Sequence, residues 1–553
     1  MSEDRKYGGG EPKPLRPEPT WDEVLQRNAI ERLKRDRPPV DVLDDLDELG
    51  RTHYVEIPEE ELVRLKWYGL YHDKPKVGSF MLRIKVPAGL LPPASLRAIG
   101  EVSIRYGQGF SELSTRQNVQ LHFITLPQVP EILDHLAAAG LTTAGACGDA
   151  VRNITGCPLE GVLAEEAFDV TPVVEEAARF FYGHRVYMDL PRKHKITISA
   201  CPAQCDMPEI NCIALIGVVL DGREGFAMRV GGGLSTVPRL ARDLGVWVPS
   251  EEALDVMRTL LDVWREDRRY RISRVKARMK FMVDDYGVEA IRAEVERRLG
   301  HALTDLPAPE PTGYADHMGV FEQKQPGLFH VGVPVPLGIV NGEQLVQIAD
   351  VAAAVRGDVR LTKQQNLVLA GVPEAQLDEV LGFLAEVGLP ADSNRLHATA
   401  IACTGEPHCN FAVTETKGKL RDVVAHLVAR WGDRLDGFRL NLDGCPHACA
   451  LHWVGDVGLM GTTARETVNG TRQAYDLFLR GGVGVEQAVG RPLVRRVPSV
   501  RVEETLDRLL EAWFAGRTDG ESFRDFWIRT PDEDLVAVAA GPSGAEPSES
   551  EVA

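Results

Sequence analysis

No apolar run in this 553-residue chain approaches the roughly 20 residues that a membrane-spanning helix needs. The N-terminus, Met-Ser-Glu-Asp-Arg-Lys-Tyr-Gly-Gly-Gly, has no apolar h-region, and its acidic residues are unlike an organelle transit peptide. A cytoplasmic protein without a membrane partner is expected. Positive charge is in deficit, with 63 Lys and Arg against 81 Asp and Glu, a formal balance of −18. That disfavours a nucleic-acid partner, whose phosphates need a basic surface. No Gly-x-Gly-x-x-Gly fingerprint follows a strand and no flavin-binding segment is visible, so electrons for any redox chemistry must come from another protein. Cysteine is sparse, and its nine copies are an odd number in a long chain, which reads as reduced thiols for metal or catalysis rather than a disulfide framework.

Four of those cysteines form two short pairs near the C-terminal end. Cys403 and Cys409 lie in Ala402-Cys-Thr-Gly-Glu-Pro-His-Cys, and Cys445 and Cys449 in Gly444-Cys-Pro-His-Ala-Cys. A C-x5-C pair followed by a C-x3-C pair differs from the C-x2-C knuckles of zinc sites and from the tight repeats of small ferredoxins. A cubane iron-sulfur cluster fits better, with a zinc site from the same four residues as the alternative.

The chain is also a duplication. Phe80-Met-Leu-Arg-Ile-Lys-Val-Pro-Ala-Gly-Leu lies over Phe329-His-Val-Gly-Val-Pro-Val-Pro-Leu-Gly-Ile without a gap. A helical stretch follows each, with Leu96 and Ile99 matching Leu345 and Ile348, and then Leu113-Ser-Thr-Arg-Gln-Asn matches Leu361-Thr-Lys-Gln-Gln-Asn. Ile198-Ser-Ala-Cys-Pro-Ala-Gln-Cys pairs with Leu442-Asp-Gly-Cys-Pro-His-Ala-Cys, each followed by an apolar strand ending at Gly217 or Gly461. So long a period predicts two related halves about a pseudo-twofold axis rather than a solenoid, with a cofactor site at their interface. Each half opens with a period-2 strand, a helix and a second strand, so an α+β architecture with mixed sheets flanked by helices is expected. Pro307-Ala-Pro-Glu-Pro-Thr-Gly reads as the linker between halves, and the glycine runs Gly231-Gly-Gly and Gly481-Gly as turns or points of close backbone approach.

Taken together, the cysteine pairs, Leu113-Ser-Thr-Arg-Gln-Asn, Val151-Arg-Asn-Ile-Thr-Gly-Cys-Pro, Leu190-Pro-Arg-Lys-His-Lys, Pro208-Glu-Ile-Asn and the duplicated unit resemble the sirohaem-dependent nitrite and sulfite reductases from about residue 55 to about residue 535. The resemblance implies a 4Fe-4S cluster on Cys403, Cys409, Cys445 and Cys449, with Cys449 also bridging to the sirohaem iron. It implies that Arg83, Arg152, Lys193 and Lys195 line the face where a small oxyanion binds, and that Arg116, Gln120, His122, Arg192 and His447 contact the haem. The residues carry part of this themselves. Arg83 interrupts an apolar strand and has Gly332 as its repeat partner, so packing alone does not call for a cation there. Lys193 and Lys195, two apart on an extended stretch, project from one face. The bland alternatives are a solvent-facing edge lysine pair, a surface arginine at Arg152 and a backbone-satisfied strand histidine at His122. Position 447 departs from the family, where Asn is common, and a charged His there would alter the cluster potential.

Six-electron reduction of sulfite to sulfide, with ferredoxin as donor, is the implied activity; nitrite to ammonia is the alternative. Lys195 favours sulfite, because nitrite reductases of the family tend to carry Asn there. Ala402-Cys-Thr-Gly and Glu415-Thr-Lys point the other way. A Tyr71–Cys157 pair beside the site, thioether-linked in some of these sulfite reductases, is expected as a neighbouring pair. Cys201, Cys205 and Cys212, with Cys147 or Cys157, offer a second cluster only weakly, since no C-x5-C pair accompanies them. Arg265 to Lys280 is a candidate basic patch for acidic ferredoxin, against a solvated helix face. A flavoprotein donor, a precorrin-3B synthase-like enzyme and a haem-free iron-sulfur carrier are the remaining alternatives. The expected segments are an extended N-terminal arm (1–54), a ferredoxin-like half-domain (55–140), a sirohaem and substrate domain (141–318), a second half-domain (319–392), a cluster-bearing domain (393–535) and a disordered tail (536–553). A monomer is expected.

Overall fold

The computed structural model describes residues 15–541. They divide into two compact units: one holds the chain up to 233 with 239–333 and 339–391, the other 234–238, 334–338 and the chain from 392 on.

The first unit contains three of the four five-stranded sheets, and two of these are built by exchange between the duplicated halves. In one, strands Leu70–His72, Phe80–Lys85, Asn118–Ile124 and Phe110–Leu113 are joined at the edge by Ile339–Asn341 from the second copy. In the other, Gly319–Glu322, Leu328–Val333, Leu367–Pro373 and Asp358–Leu361 are joined by Leu90–Leu91 from the first. An edge strand given to the partner sheet satisfies backbone groups that would otherwise be exposed.

The helices Pro93–Tyr106 and Gly342–Val355 pack against each other, as their shared pattern leads one to expect. Leu96 and Ile99 on one and Leu345 and Ile348 on the other are buried. Their backbones meet at Gly100 and Gly342, where a Cβ on either would lie 2.8 Å from the other's carbonyl oxygen. The first helix starts with Pro at its first turn and ends at Gly107; the second starts with Asn341, whose side chain accepts from the Gln344 N–H. Equivalent glutamines knit the two copies together. Gln117 Nε2 donates to Leu361 O at 2.8 Å, and Gln365 Nε2 donates to Leu113 O at 2.9 Å. Both glutamines have a left-handed backbone, with φ of 51° and 65°, so the local twofold relation extends to single hydrogen bonds.

The third sheet of this unit runs Thr304–Asp305, Arg242–Pro249, Arg223–Val230, Ile213–Leu220 and Ile196–Ser199. The last two strands are parallel and the rest antiparallel. Helices Thr171–Phe181 and Ala253–Glu266 help build its core, in which Trp264 is fully buried and donates to Ala277 O. The second unit repeats the pattern with Ala400–Ala402, Leu440–Asp443 and Val457–Val468 parallel, followed by antiparallel Thr471–Leu479 and Arg491–Pro498.

Two expectations change. The N-terminal arm is largely helical rather than extended, with helices at Trp21–Arg27, Ala29–Asp36 and Leu46–Arg51. It is fastened by buried polar contacts: Asn28 donates to Arg271 O, and Lys34 pairs with Glu31 and Asp189. Such partners order a segment that composition alone reads as loose. Of the expected disordered tail, residues up to Ala540 end the helix Asp532–Ala540, and residues 542–553 lie outside the described residues.

Candidate active site

Strand Phe80–Lys85 is buried at every position but Arg83, which is half-buried. Arg83 is held by Gln120 across the sheet, through Nε at 3.0 Å and Nη2 at 2.6 Å, while its Nη1 lies 3.0 Å from Cys147 Sγ. Gln120 in turn donates to Glu112, and Glu112 lies 3.5 Å from His122 Nε2, whose Nδ1 is 3.1 Å from Asp73. Burial alone would lower the His122 pKa, but its hydrogen bonds to Asp73 and Glu112 outweigh that and raise it to about 9. Gln120 and His122 are therefore links in a buried chain that fixes the direction of Arg83.

Arg152 is held by carbonyls of Ala146 and Gly148 at 2.8 and 2.7 Å. Burial, then Arg83 and Arg192, depress its pKa, against the opposing pull of Cys147 and Tyr71. Arg192 pairs with the buried carboxylate of Asp149 at 3.0 Å, which also takes Arg274 at 2.8 Å. Arg83, Arg152 and Arg192 thus converge about Tyr71, whose phenol is raised by burial and then by Cys147.

A second group of cations gathers about the extended stretch that leads into strand Ile196–Ser199, where His194 forms an isolated bridge with Val151. His194 turns to the core against Trp264, and alternation sends Lys193 and Lys195 the other way, both half-buried. Burial drives Lys195 well below the usual lysine range, helped by Arg116, Arg278 and Lys363. Arg116 itself spans Asn211 Oδ1, Asn153 O and Ile196 O, and burial lowers it to about 10. Lys280, lowered to about 7 mainly by burial, donates to Gly233 O. Cations gathered in this way, several held below their usual pKa chiefly by burial, favour a small anion between them. Two buried guanidinium groups also keep an N–H without a protein partner, Arg116 Nε and Arg152 Nε.

In the second unit the strand Leu440–Asp443 delivers Cys445 and Cys449, and the segment after Ala400–Ala402 delivers Cys403 and Cys409. Cys403 Sγ accepts the Gly444 N–H at 3.2 Å. Burial pushes the Cys445 thiol up to about 12, with Cys449 and Cys409 adding to it, so thiolates there need a cation in their midst. Gly444 and Gly461 let the Cys445 loop pack closely on its neighbours: a Cβ on Gly461 would fall 2.2 Å from Thr414 Oγ1 and 2.8 Å from Gly444 O. Cys449 is exposed, and His447 Nδ1 lies 3.5 Å from Cys445 Sγ.

Two sequence expectations are corrected here. The thiol acting on Tyr71 is that of Cys147, while Cys157 Sγ lies 3.4 Å from His317 Nε2 and joins Cys201 and Cys205. The basic stretch Arg265 to Lys280 is not one helix face: Arg271 is buried on Glu31 and Asp189, Arg274 takes Asp149, and Lys280 points inward. Part of its charge therefore serves the interior, through buried Arg271 and Lys280, while Arg274 and Lys276 stay exposed. Cys147, Arg274, Arg278, Lys280 and Lys363 were not singled out as site residues by sequence, because nothing in their local pattern separates an inward cation from a surface one.

A duplicated α+β fold with a cluster of half-buried cations and two cysteine pairs in the second unit suits redox chemistry on small anions. Comparison with known proteins narrows this. "Nitrite/Sulfite reductase ferredoxin-like half domain" matches residues 72–139 and 321–387, and "Nitrite and sulphite reductase 4Fe-4S domain" matches 147–303. "Sulfite reductase [ferredoxin]" of Mycobacterium tuberculosis is 35% identical over 92% of this chain and 96% of its own length. "Assimilatory ferredoxin-dependent nitrite reductase" of Haloferax mediterranei is 32% identical over 91% of each chain. The solved structure of Mycobacterium tuberculosis NirA protein superposes with a TM-score of 0.88 at 34% identity, covering 92% of this chain and 97% of that one. The chain belongs to the nitrite and sulfite reductase family. The family's cofactors, sirohaem and a 4Fe-4S cluster, fit the residues present: the partnerless N–H groups of Arg116 and Arg152 suit the haem's carboxylates or an anionic ligand, and the thiol chemistry of Cys403, which accepts the Gly444 N–H, and its three companions suits the cluster.

Proposed function

We propose that this protein reduces sulfite to sulfide in a six-electron reaction with ferredoxin as donor, the cluster being held by Cys403, Cys409, Cys445 and Cys449. Sirohaem, when bound, would supply the iron that takes the anion, and the 4Fe-4S cluster would supply electrons singly. Arg83, Arg152 and Lys193 attract the anion and polarise its bonds to oxygen. Lys195 holds a proton that its depressed pKa makes easy to give up as oxygen leaves as water. Arg116 and Arg192 take haem carboxylates, with Gln120 and His122 acting behind Arg83. Cys449, exposed at the end of its loop, would hold the cluster on the side that faces the haem.

The observation that carries sulfite over nitrite is Lys195 itself, a half-buried ammonium among Arg116, Arg278 and Lys363. Sulfite, when doubly charged, gains more from such a cluster than singly charged nitrite. Nine thiols without a disulfide and the absence, among described residues, of a helix able to cross a membrane support a cytoplasmic enzyme, with a monomer as the working state. Steady-state kinetics with a reduced low-potential donor test the reading: higher kcat/KM for sulfite is expected, and faster nitrite turnover at saturation overturns it.

A further inference from the structure

The first C-x3-C loop has no role in the chemistry above, yet it is not an idle remnant. Cys201 and Cys205 converge with Cys157 and His317, and their three Sγ atoms and one imidazole nitrogen all lie within 4.8 Å of one another. His317 Nε2 is 3.2 Å from Cys205 Sγ and 3.4 Å from Cys157 Sγ. The three cysteines are buried and His317 is half-buried. We infer that these four side chains form a mononuclear tetrahedral Cys3His site for zinc(II), separate from the cluster and the haem.

Size selects a single ion. Metal–sulfur bonds of about 2.3 Å put the thiolates of a tetrahedral site roughly 3.8 Å apart, which this group accommodates with little movement. A cubane binds its four thiolates at four different irons and spreads them wider. Donor type selects zinc, which takes Cys3His readily in closed structural sites.

The surroundings match a closed site. The Leu159 N–H donates to Cys157 Sγ at 3.3 Å, as outer-shell donors to metal thiolates do. A divalent ion on three thiolates and a neutral imidazole carries one negative charge, and buried Lys363, which feels the Cys205 charge and donates to Asp206 O, offsets it. Cys212 and Cys147 stay with Lys195 and Arg83 and take no part.

The ligands also show what the ion would do. His317 follows the linker between halves, and that linker already lies on the Cys201 loop: Gln204 Nε2 donates to Pro309 O at 2.8 Å, and the Thr312 N–H to Pro202 O at 2.9 Å. Gly332 lets the backbone at His317 come close, since a Cβ there would meet His317 O at 2.3 Å. Zinc would staple the linker to the first reductase domain.

Metal analysis of the intact protein, produced with zinc in the medium, tests this. About one zinc per chain is expected, falling below about a tenth in Cys201→Ser/Cys205→Ser, with the iron of the cluster unchanged. His317→Ala is the milder variant and should release zinc to a chromogenic chelator at least tenfold faster while the visible spectrum stays as it was. Cobalt(II) in place of zinc should give the intense ligand-field bands of a tetrahedral thiolate site. Less than a tenth of an equivalent of zinc in the untreated protein, extra iron with matching acid-labile sulfide, or a Cys201–Cys205 disulfide in peptide mapping each overturns the proposal.

Discussion

The two C-x3-C loops have the same backbone and different company. Gln204 and Ala448, each just before the second cysteine, are both left-handed, with φ of 50° and 54°, and so are Met207 and Leu451 three residues later. Each loop follows a strand that runs parallel to its neighbour. In the second copy the loop shares its thiols with Cys403 and Cys409; in the first it meets Cys157 and His317. The lesson is that a duplicated scaffold fixes where two sulfurs stand, and the segments arriving from elsewhere decide which metal chemistry they can do.

The comparison breaks hardest at Cys449. Cys449→Ser should leave no measurable six-electron turnover and alter the haem and cluster spectra, whereas Cys205→Ser should leave those spectra intact; equal loss in both variants would erase the distinction between loops.

Next come the cations, most of which the first copy carries, with Lys363 added from the second. Arg83→Gln or Lys195→Gln should lower kcat/KM for sulfite by about a hundred- to a thousandfold, the scale of removing one preorganised charge partner. At Gly332, the repeat partner of Arg83, even Ala must displace the backbone at His317 and Met318, so its cost should be read in thermal stability.

Core and symmetry effects follow. Trp264→Ala should cost about 3–5 kcal/mol in denaturant unfolding, from lost burial and the cavity left behind. Gln117→Leu should cost about 1–3 kcal/mol in denaturant unfolding, because it removes the donor to Ala88 O, Gly156 O and Leu361 O and the acceptor of the Gly156 N–H. Gln365→Leu, which removes the donor to Leu113 O, should also destabilise.

The smallest effect is on pH. His122 has a folded pKa of about 9 against roughly 6.5 unfolded, so its contribution is full below about 6.5 and is lost as pH rises through about 9. His122→Gln should flatten that alkaline fall in the melting temperature.

Much of this was legible in the chain. The aligned segments at Phe80 and Phe329, the cysteine pairs and the anomalous Arg83 are local patterns, and each reports a constraint that acts within a few residues. The choice between Cys147 and Cys157 as neighbour of Tyr71 was not legible, because the two thiols lie ten residues apart on one irregular segment and only its path through the fold separates them. Charge sign was legible but not its direction: Arg271 and Lys280 read as surface and turn inward, since a buried cation is defined by its partner, here Glu31 and Gly233 O. The sequence by itself therefore determined the duplication and the α+β class, both of which rest on periodicity and spacing. Tertiary structure alone decided that His317, more than a hundred residues beyond Cys205, completes a second group of ligands, because metal sites depend on distance in space and sequence spacing is silent on that.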